Sequence, residues 1–288
     1  MTPSRAFAAV VSDRLTGEHW DDLLKGRTGI LRVPDFMPAD RRRAALKRLD
    51  NGGHFAIYDP MDECGGLDPE AHRQINLDLR AGRGPEDPPP VSRRLGRTLY
   101  EHAVRGTARE YFDCATEFDA ARRDTFSDGG DVIDDVLATI SSVTNTAASI
   151  ADEPGHGLCY AGVIRDVHGR SRLHTDDARE ETPGFTFSDT PHQLSLYVFL
   201  DMPQQGGDVT VYEREYRPED TPLRLGYGLA PHAVAGDSFV GIAPRAGDLM
   251  LFPARNIHRV DACSGPGRRI MMQAHLGIHA NGEVVCWS

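Results

Sequence analysis

From residue 158 onward the chain is cut into short β-type runs by glycine, proline and aspartate, and this punctuation constrains the fold more than any other feature. The runs fall at 158–164, 193–200, 208–212, 238–242, 248–252, 269–276 and 284–287. They are rich in β-branched, aromatic and aliphatic residues, which fit a pleated surface, and too short to be ordinary helices. Strands of this length joined by tight turns point to a sandwich or barrel-like jelly roll with helices against one sheet.

The first half reads differently. Residues 29–33 are an apolar run stopped by Pro34, the mark of one early strand, and Asp40 is placed to cap a helix through Leu49. Residues 52–66 read as irregular loop, and 82–90 as a turn-rich stretch ending in three prolines. Helical patterns return at 95–112 and 132–150. In the second, Val132, Ile133, Val136, Leu137, Ile140 and Val143 recur at the spacing that shares one helix face. No internal repeat or linker-like segment divides the chain. The expected architecture is mainly β with a helical buttress: a single domain over 1–288, with an α-rich region at 1–150 packed on a jelly-roll core at 151–288.

Composition narrows the function. Hydrophobic residues make up 40% of the 288, enough for a sizeable core. A net charge of −11 argues against nucleic acid, because phosphate binding relies on a basic surface; a small molecule is the expected partner. No run approaches the roughly 18 uncharged apolar residues of a bilayer span, and the N-terminus builds no signal-peptide core. The expectation is a cytoplasmic protein, monomer or homodimer, without membrane contact. Cys64, Cys114, Cys159, Cys263 and Cys286 are scattered and include no CxxC pair, so neither a disulfide framework nor a thiolate zinc site is indicated. Among the 32 basic residues only Lys25 and Lys47 are lysines, so a buried carboxylate clamp is expected to be arginine.

The chemistry concentrates in three residues. His174 and Asp176 lie two apart, so in extended chain both side chains point the same way and can reach one metal ion. His258 follows the 248–252 run and opens a new strand. Two imidazoles and one carboxylate form a facial triad that leaves coordination positions open, as non-haem Fe(II) oxygenases require. An isolated His-x-Asp is most often a surface turn; order and context raise this one above that reading.

The set resembles the Fe(II)/2-oxoglutarate-dependent dioxygenases, in particular their prolyl-hydroxylase-like branch. The pieces are His174-Thr175-Asp176, the strand 196–200 leading to Gly206-Gly207-Asp208, then Gly247-Asp248-Leu249, His258-Arg259-Val260 and Gly267-Arg268-Arg269. They span about residues 158–276; the first 150 residues resemble nothing named. The resemblance implies a double-stranded β-helix, Fe(II) held by His174, Asp176 and His258, O₂ and 2-oxoglutarate as co-substrates, and ascorbate to keep the iron reduced. It also implies an arginine for the distal carboxylate of 2-oxoglutarate, gripped by two parallel hydrogen bonds. Arg269 holds the Gly-x-Arg position and Arg268 is its rival; neighbouring strand residues face opposite ways, so only one points inward.

The implied reaction oxidises an unactivated C–H bond of a small metabolite, a free amino acid or natural-product precursor, with succinate and CO₂ as co-products. Related halogenases carry Gly or Ala where this chain has Asp176 and bind chloride in the vacated position, so the carboxylate points to hydroxylation. Desaturation or ring closure is the alternative outcome, a cupin-type dioxygenase without 2-oxoglutarate a second, and a non-catalytic jelly-roll binding protein a third. Tyr160 and Gln193 are candidates to hydrogen-bond 2-oxoglutarate, with plain packing an equal reading. Any of Arg165, Arg172 and Arg179 has the reach to hold a substrate carboxylate, although solvated surface is the commoner fate of such a residue. Residues 177–190 read equally as a lid or a surface loop. His156, His168, His192 and His232 are expected to be non-ligands, and His275 and His279, after the last core strand, to have no catalytic part.

Overall fold

The computed structural model describes residues 7–57, 93–104, 106–167, 169–225 and 228–288. The turn-rich stretch at 82–90, most of the 52–66 loop, Cys64 and His168 lie outside the described residues. The chain opens with β1 (Ala8–Val11), α1 (Gly17–Leu24), β2 (Thr28–Val33) and α2 (Ala39–Asn51). Next come β3 (Ala56–Ile57), β4 (Arg93–Leu95), α3 (Leu99–Ala103), α4 (Ala108–Thr125) and α5 (Val132–Thr144). Strands β5 (Ala148–Ile150), β6 (Asp152–Glu153), β7 (Gly157–Leu158), β8 (Val163–Asp166) and β9 (Ser171–His174) lead to a short helix α6 (Ala178–Glu181). Strands dominate the remainder: β10 (His192–Asp201), β11 (Gln205–Gly206), β12 (Val209–Glu215), β13 (Arg224–Leu225), β14 (Gly228–Leu229) and β15 (Phe239–Ile242). The last are β16 (Leu249–Pro253), β17 (Asn256–Val260), β18 (Cys263–Ser264), β19 (Ile270–Ile278) and β20 (Val284–Trp287).

A major sheet runs in the order β1-β2-β16-β10-β19-β8-β4-β3, with β20 added on β19 and β5 on β20; a minor sheet runs β13-β14-β9-β17-β12-β15. Alternation along β10 shows why the two face each other. Leu194, Leu196, Val198 and Leu200 enter one cluster with Val132, Ile133, Val136 and Ile140 of α5. Tyr197 and Phe199 enter another with Val209 and Val211 of β12 and Val260 of β17. The first cluster joins helices to sheet, and the second fills the space between the sheets. Each buried aliphatic side chain contributes roughly 1.5–3 kcal/mol, so a one-residue slip of β10 would exchange the two faces at prohibitive cost. The jelly-roll core expected from the strand punctuation is therefore present, with the helices on one face of the major sheet.

Several boundaries differ from expectation. The 95–112 helix is broken: Leu95 ends β4, and α3 gives way to α4 around Gly106, whose φ of 68° leaves the helical region. The 132–150 helix stops at Thr144, because Asn145 takes a left-handed φ of 57° and caps it, and the chain then enters β5 parallel to β20. The 158–164 run is split between β7 and β8, with Gly162 (φ 92°) turning the chain between them. The first half also supplies more sheet than its helical patterns suggest: β2 pairs with β16, and β4 with β8. No helix among the described residues is long and apolar enough to cross a membrane.

Candidate active site

Strands β9 and β17 run antiparallel and pair His174 directly with His258. Directly opposed residues point the same way, and the two imidazole centroids stand 4.2 Å apart. Beyond the end of β9, the Asp176 N–H donates to the Ala254 carbonyl at 3.0 Å, which turns the Asp176 side chain back toward both rings. Its Oδ1 lies 3.6 Å from His174 Nε2 and its Oδ2 3.5 Å from His258 Nε2. One ligand atom from each residue falls within 4.8 Å of the others. Such separations are long for direct hydrogen bonds and suit donors arranged around one ion, whose adjacent ligands at about 2.1 Å stand about 3 Å apart.

The surroundings prepare these groups for a cation. Each ring uses Nδ1 as donor to a backbone carbonyl, His174 to Arg172 at 2.7 Å and His258 to Asn256 at 2.9 Å, which leaves the Nε2 lone pairs directed at the shared point. His258 Nε2 is buried and has no hydrogen-bond partner among the described residues, an expensive arrangement unless a metal takes that lone pair. Burial, with His258 alongside, lowers His174 to about 4, so its ring is neutral and able to ligate near neutral pH. Burial alone would raise the Asp176 carboxyl, but the two histidines outweigh it and keep it well below the usual carboxylate range. Ser195 on β10 donates to Asp176 Oδ2 at 3.3 Å and joins the major sheet to the triad. The residues present fit a divalent metal of the Fe(II) type.

Arg268 and Arg269 point to opposite sides. Arg268 leaves the barrel and pairs with Asp50 at 2.6 Å on the surface. Arg269 is 2% exposed, with Nη2 against Met271 Sδ at 3.2 Å and an Nε that has no hydrogen-bond partner among the described residues. A buried guanidinium that lacks a carboxylate is strongly unfavourable, so this side chain fits an incoming anion. Gly207 makes room beside it: a Cβ there would stand 2.9 Å from Met202 Cε and 3.7 Å from Arg269 Cδ.

The other candidates scatter. Tyr160 belongs to the core between helices and sheet, where its hydroxyl donates to the Gly162 carbonyl at 2.9 Å and its ring packs near Arg122. It is not brought to the triad, because the chain turns between β7 and β8 instead of continuing as strand. Gln193 does face the site region, but its amide oxygen accepts the Ala178 N–H at 3.0 Å and thereby anchors α6. Arg179 is exposed and pairs with Asp177, and Arg172 reaches the Leu225 carbonyl. Residues 177–190 mix exposed positions with anchors: Phe187 is fully buried and stacks on Trp287 at 4.4 Å, and Thr186 bonds Glu153. His156 stacks on Phe112 at 4.8 Å, while His192 and His232 are exposed.

Three residues near the triad were not singled out from sequence as part of the site: Ser195, Tyr197 and His275. Tyr197 is buried, feels the charges of Asp176, Arg269 and Arg165, and is pushed up chiefly by burial. The signal for all three was present, since Gln193, Ser195 and Tyr197 recur at every second position of β10, and Gln273 and His275 do so on β19.

Comparison with known proteins agrees with this geometry. The family model described as carrier-protein-independent halogenase WelO5 matches residues 89–288. The chain is 31% identical over 288 residues to the L-gamma-glutamyl-L-propargylglycine hydroxylase of Streptantibioticus cattleyicolor, covering 98% of this chain and 96% of that protein. It is 25% identical over 186 residues to the leucinostatins biosynthesis cluster protein S of Purpureocillium lilacinum, covering 62% of this chain and 74% of that protein. Among solved structures, an N-substituted L-amino acid dioxygenase from Burkholderia ambifaria has the same fold, with a TM-score of 0.58 at 14% identity over 94% of this chain and 91% of the other. Fold, donor set and relatives converge, and the chain belongs to the WelO5 family of Fe(II)/2-oxoglutarate-dependent oxygenases.

Proposed function

We propose that this oxygenase hydroxylates a C–H bond of a small amino acid or amino-acid derivative in a natural-product pathway, with His174, Asp176 and His258 holding Fe(II) and Arg269 gripping the distal carboxylate of 2-oxoglutarate. The observation that carries the reading is Asp176, whose carboxylate reaches toward both imidazoles and fills the position that related halogenases leave to chloride. Fe(II), when bound, supplies O₂ activation coupled to decarboxylation of 2-oxoglutarate to succinate. The protein's own part is positioning and exclusion of water. Nδ1 hydrogen bonds fix both imidazoles, Ser195 fixes the carboxylate, and Tyr197, Phe252 and Met271 make a largely apolar interior beside them. The relative aligned along the whole chain acts, by its name, as a hydroxylase on a γ-glutamyl amino acid, and this supports an amino-acid derivative as substrate.

The test is substrate-dependent succinate release across free amino acids and their γ-glutamyl derivatives, with mass analysis of the product in the presence of chloride. A product heavier by one oxygen atom is expected, and Asp176→Ala should reduce succinate to background. A chlorinated product, or normal succinate release by Asp176→Ala, sinks the reading.

A further inference from the structure

Arg255 is a buried cation placed just outside the triad. It occupies the short turn Ala254-Arg255 between β16 and β17, shortly before His258. Only 6% exposed, it reaches across to the segment that follows Asp176. Its Nη1 donates to the Pro191 carbonyl at 3.0 Å and its Nη2 to the Thr190 carbonyl at 2.8 Å. Its Nε stands 3.3 Å from Asp177 Oδ1, an ion pair without hydrogen-bond alignment. One guanidinium therefore grips both ends of the 177–191 segment: the residue beside Asp176, and the pair of residues that lead into β10.

Asp176 needs such support. Strand pairing sets His174 against His258, but Asp176 lies beyond the end of β9 and outside that ladder. Its own anchors are its N–H, given to the Ala254 carbonyl, and the 3.3 Å hydrogen bond from Ser195 on the inner wall of the major sheet. The Ala254 N–H in turn donates to the Gln193 carbonyl at 3.0 Å. Backbone from residues 176, 190, 191 and 193 thus converges on the Ala254-Arg255 turn. A guanidinium buried this deeply is costly unless its charge is matched, and the Asp177 carboxylate, whose side chain is 13% exposed, matches it. Exposed Arg179 holds the same carboxylate from the solvent side, where water screens the pair. A metal ligand left loose must be ordered when the ion arrives, and that ordering subtracts from affinity.

We propose that Arg255 is a positioning residue for the metal site: it holds Asp177 and the Thr190 and Pro191 carbonyls on the turn before His258, and so fixes Asp176 against the two imidazoles before a metal arrives. This rests on the reading of His174, Asp176 and His258 as a metal triad. The contacts of Arg255 run to Asp177, Thr190 and Pro191, so its effect reaches the metal through Asp176. Partners that orient a ligand in this way change metal affinity by about 10- to 100-fold. Lysine is a poor substitute, because one ammonium cannot reproduce the planar fork that spans two carbonyls and a carboxylate.

The experiment titrates the full chain with Co(II) alone, a stand-in for Fe(II) that resists oxidation by air, against a chelating indicator, and records the visible absorption of the bound ion. Far-ultraviolet circular dichroism and a urea midpoint accompany each variant. Arg255→Met, folded as wild type by circular dichroism, should raise the Co(II) dissociation constant by about tenfold or more and alter the visible spectrum, because the carboxylate is no longer held in place. A part confined to tying down the 177–191 segment would lower the urea midpoint and leave the dissociation constant within about threefold of wild type, and that result overturns the proposal. Should Arg255→Met fail to fold, Arg255→Lys decides: a dissociation constant raised by more than about threefold sustains the proposal, and wild-type affinity overturns it. Wild type that takes up no Co(II) refutes the metal triad itself, a separate failure seen before any variant is compared.

Discussion

Arg268 and Arg269 show how one peptide step decides a role. Both carry the same charge and both follow Gly267, yet strand alternation sends one to Asp50 on the surface and the other into the barrel. Charge-assisted hydrogen bonds contribute about 1.5–3 kcal/mol each. Arg269→Met should therefore raise the dissociation constant of 2-oxoglutarate by about 10- to 100-fold, and Arg268→Met should leave it nearly unchanged; anaerobic titration of the Fe(II)-loaded protein reads both, and the reverse order would assign the clamp to Arg268. The triad was legible in the sequence because its spacing and order are set by backbone geometry that a strand imposes on any residue. The place of Tyr160 was not. It depends on the turn at Gly162 before β8, and no local pattern in the 158–164 run announces that turn as a break in the strand.

Among the elements, α4 and α5 are held to the sheet by a polar hub. Arg122 is fully buried, with Nε on Asp131 at 2.9 Å, Nη2 on Asp119 at 2.6 Å and Nη1 on the Ala161 carbonyl, beneath the ring of Tyr160. Asp131 also caps α5 through the Ile133 N–H. Removing the guanidinium leaves a buried carboxylate uncompensated, which costs about 3–5 kcal/mol. Arg122→Met should lower the denaturation midpoint markedly, whereas Asp119→Asn, at the more exposed end, should cost much less; equal effects would show that the hub is not centred on Asp131. The apolar face of α5 was readable from its helical period, and its N-cap lies one residue before that pattern starts. The end was harder to place. Asn145 stops the helix through a left-handed backbone, a conformation open to asparagine but not demanded by it.

At the scale of the molecule, the strand punctuation after residue 158 revealed the jelly roll but concealed how the first half completes it. Strand β1 pairs in parallel with β2, and β2 lies against β16, so the N-terminal segment extends the same sheet that carries the inner wall. Buried Asp248, from the Gly-Asp-Leu motif, is paired to Arg32 of β2 at 2.5 Å and accepts the Arg245 N–H at 2.6 Å. Short, non-alternating runs such as Ala8–Val11 carry too little period for sequence to place them; only the edge of β2 gives them a partner. Hydrogen bonding across the two halves argues that they unfold together, as one domain. The two tryptophans provide a direct test, because Trp20 sits in α1 and Trp287 in β20, both nearly buried. In urea, Trp20→Phe and Trp287→Phe leave one reporter in each half. If each variant's fluorescence transition coincides with its own loss of far-ultraviolet circular dichroism, the chain is a single cooperative unit. A Trp20 signal that melts clearly before the β-sheet signal would instead make the N-terminal region a separately stable layer, and residues 151–288 would then be expected to keep their fold without it.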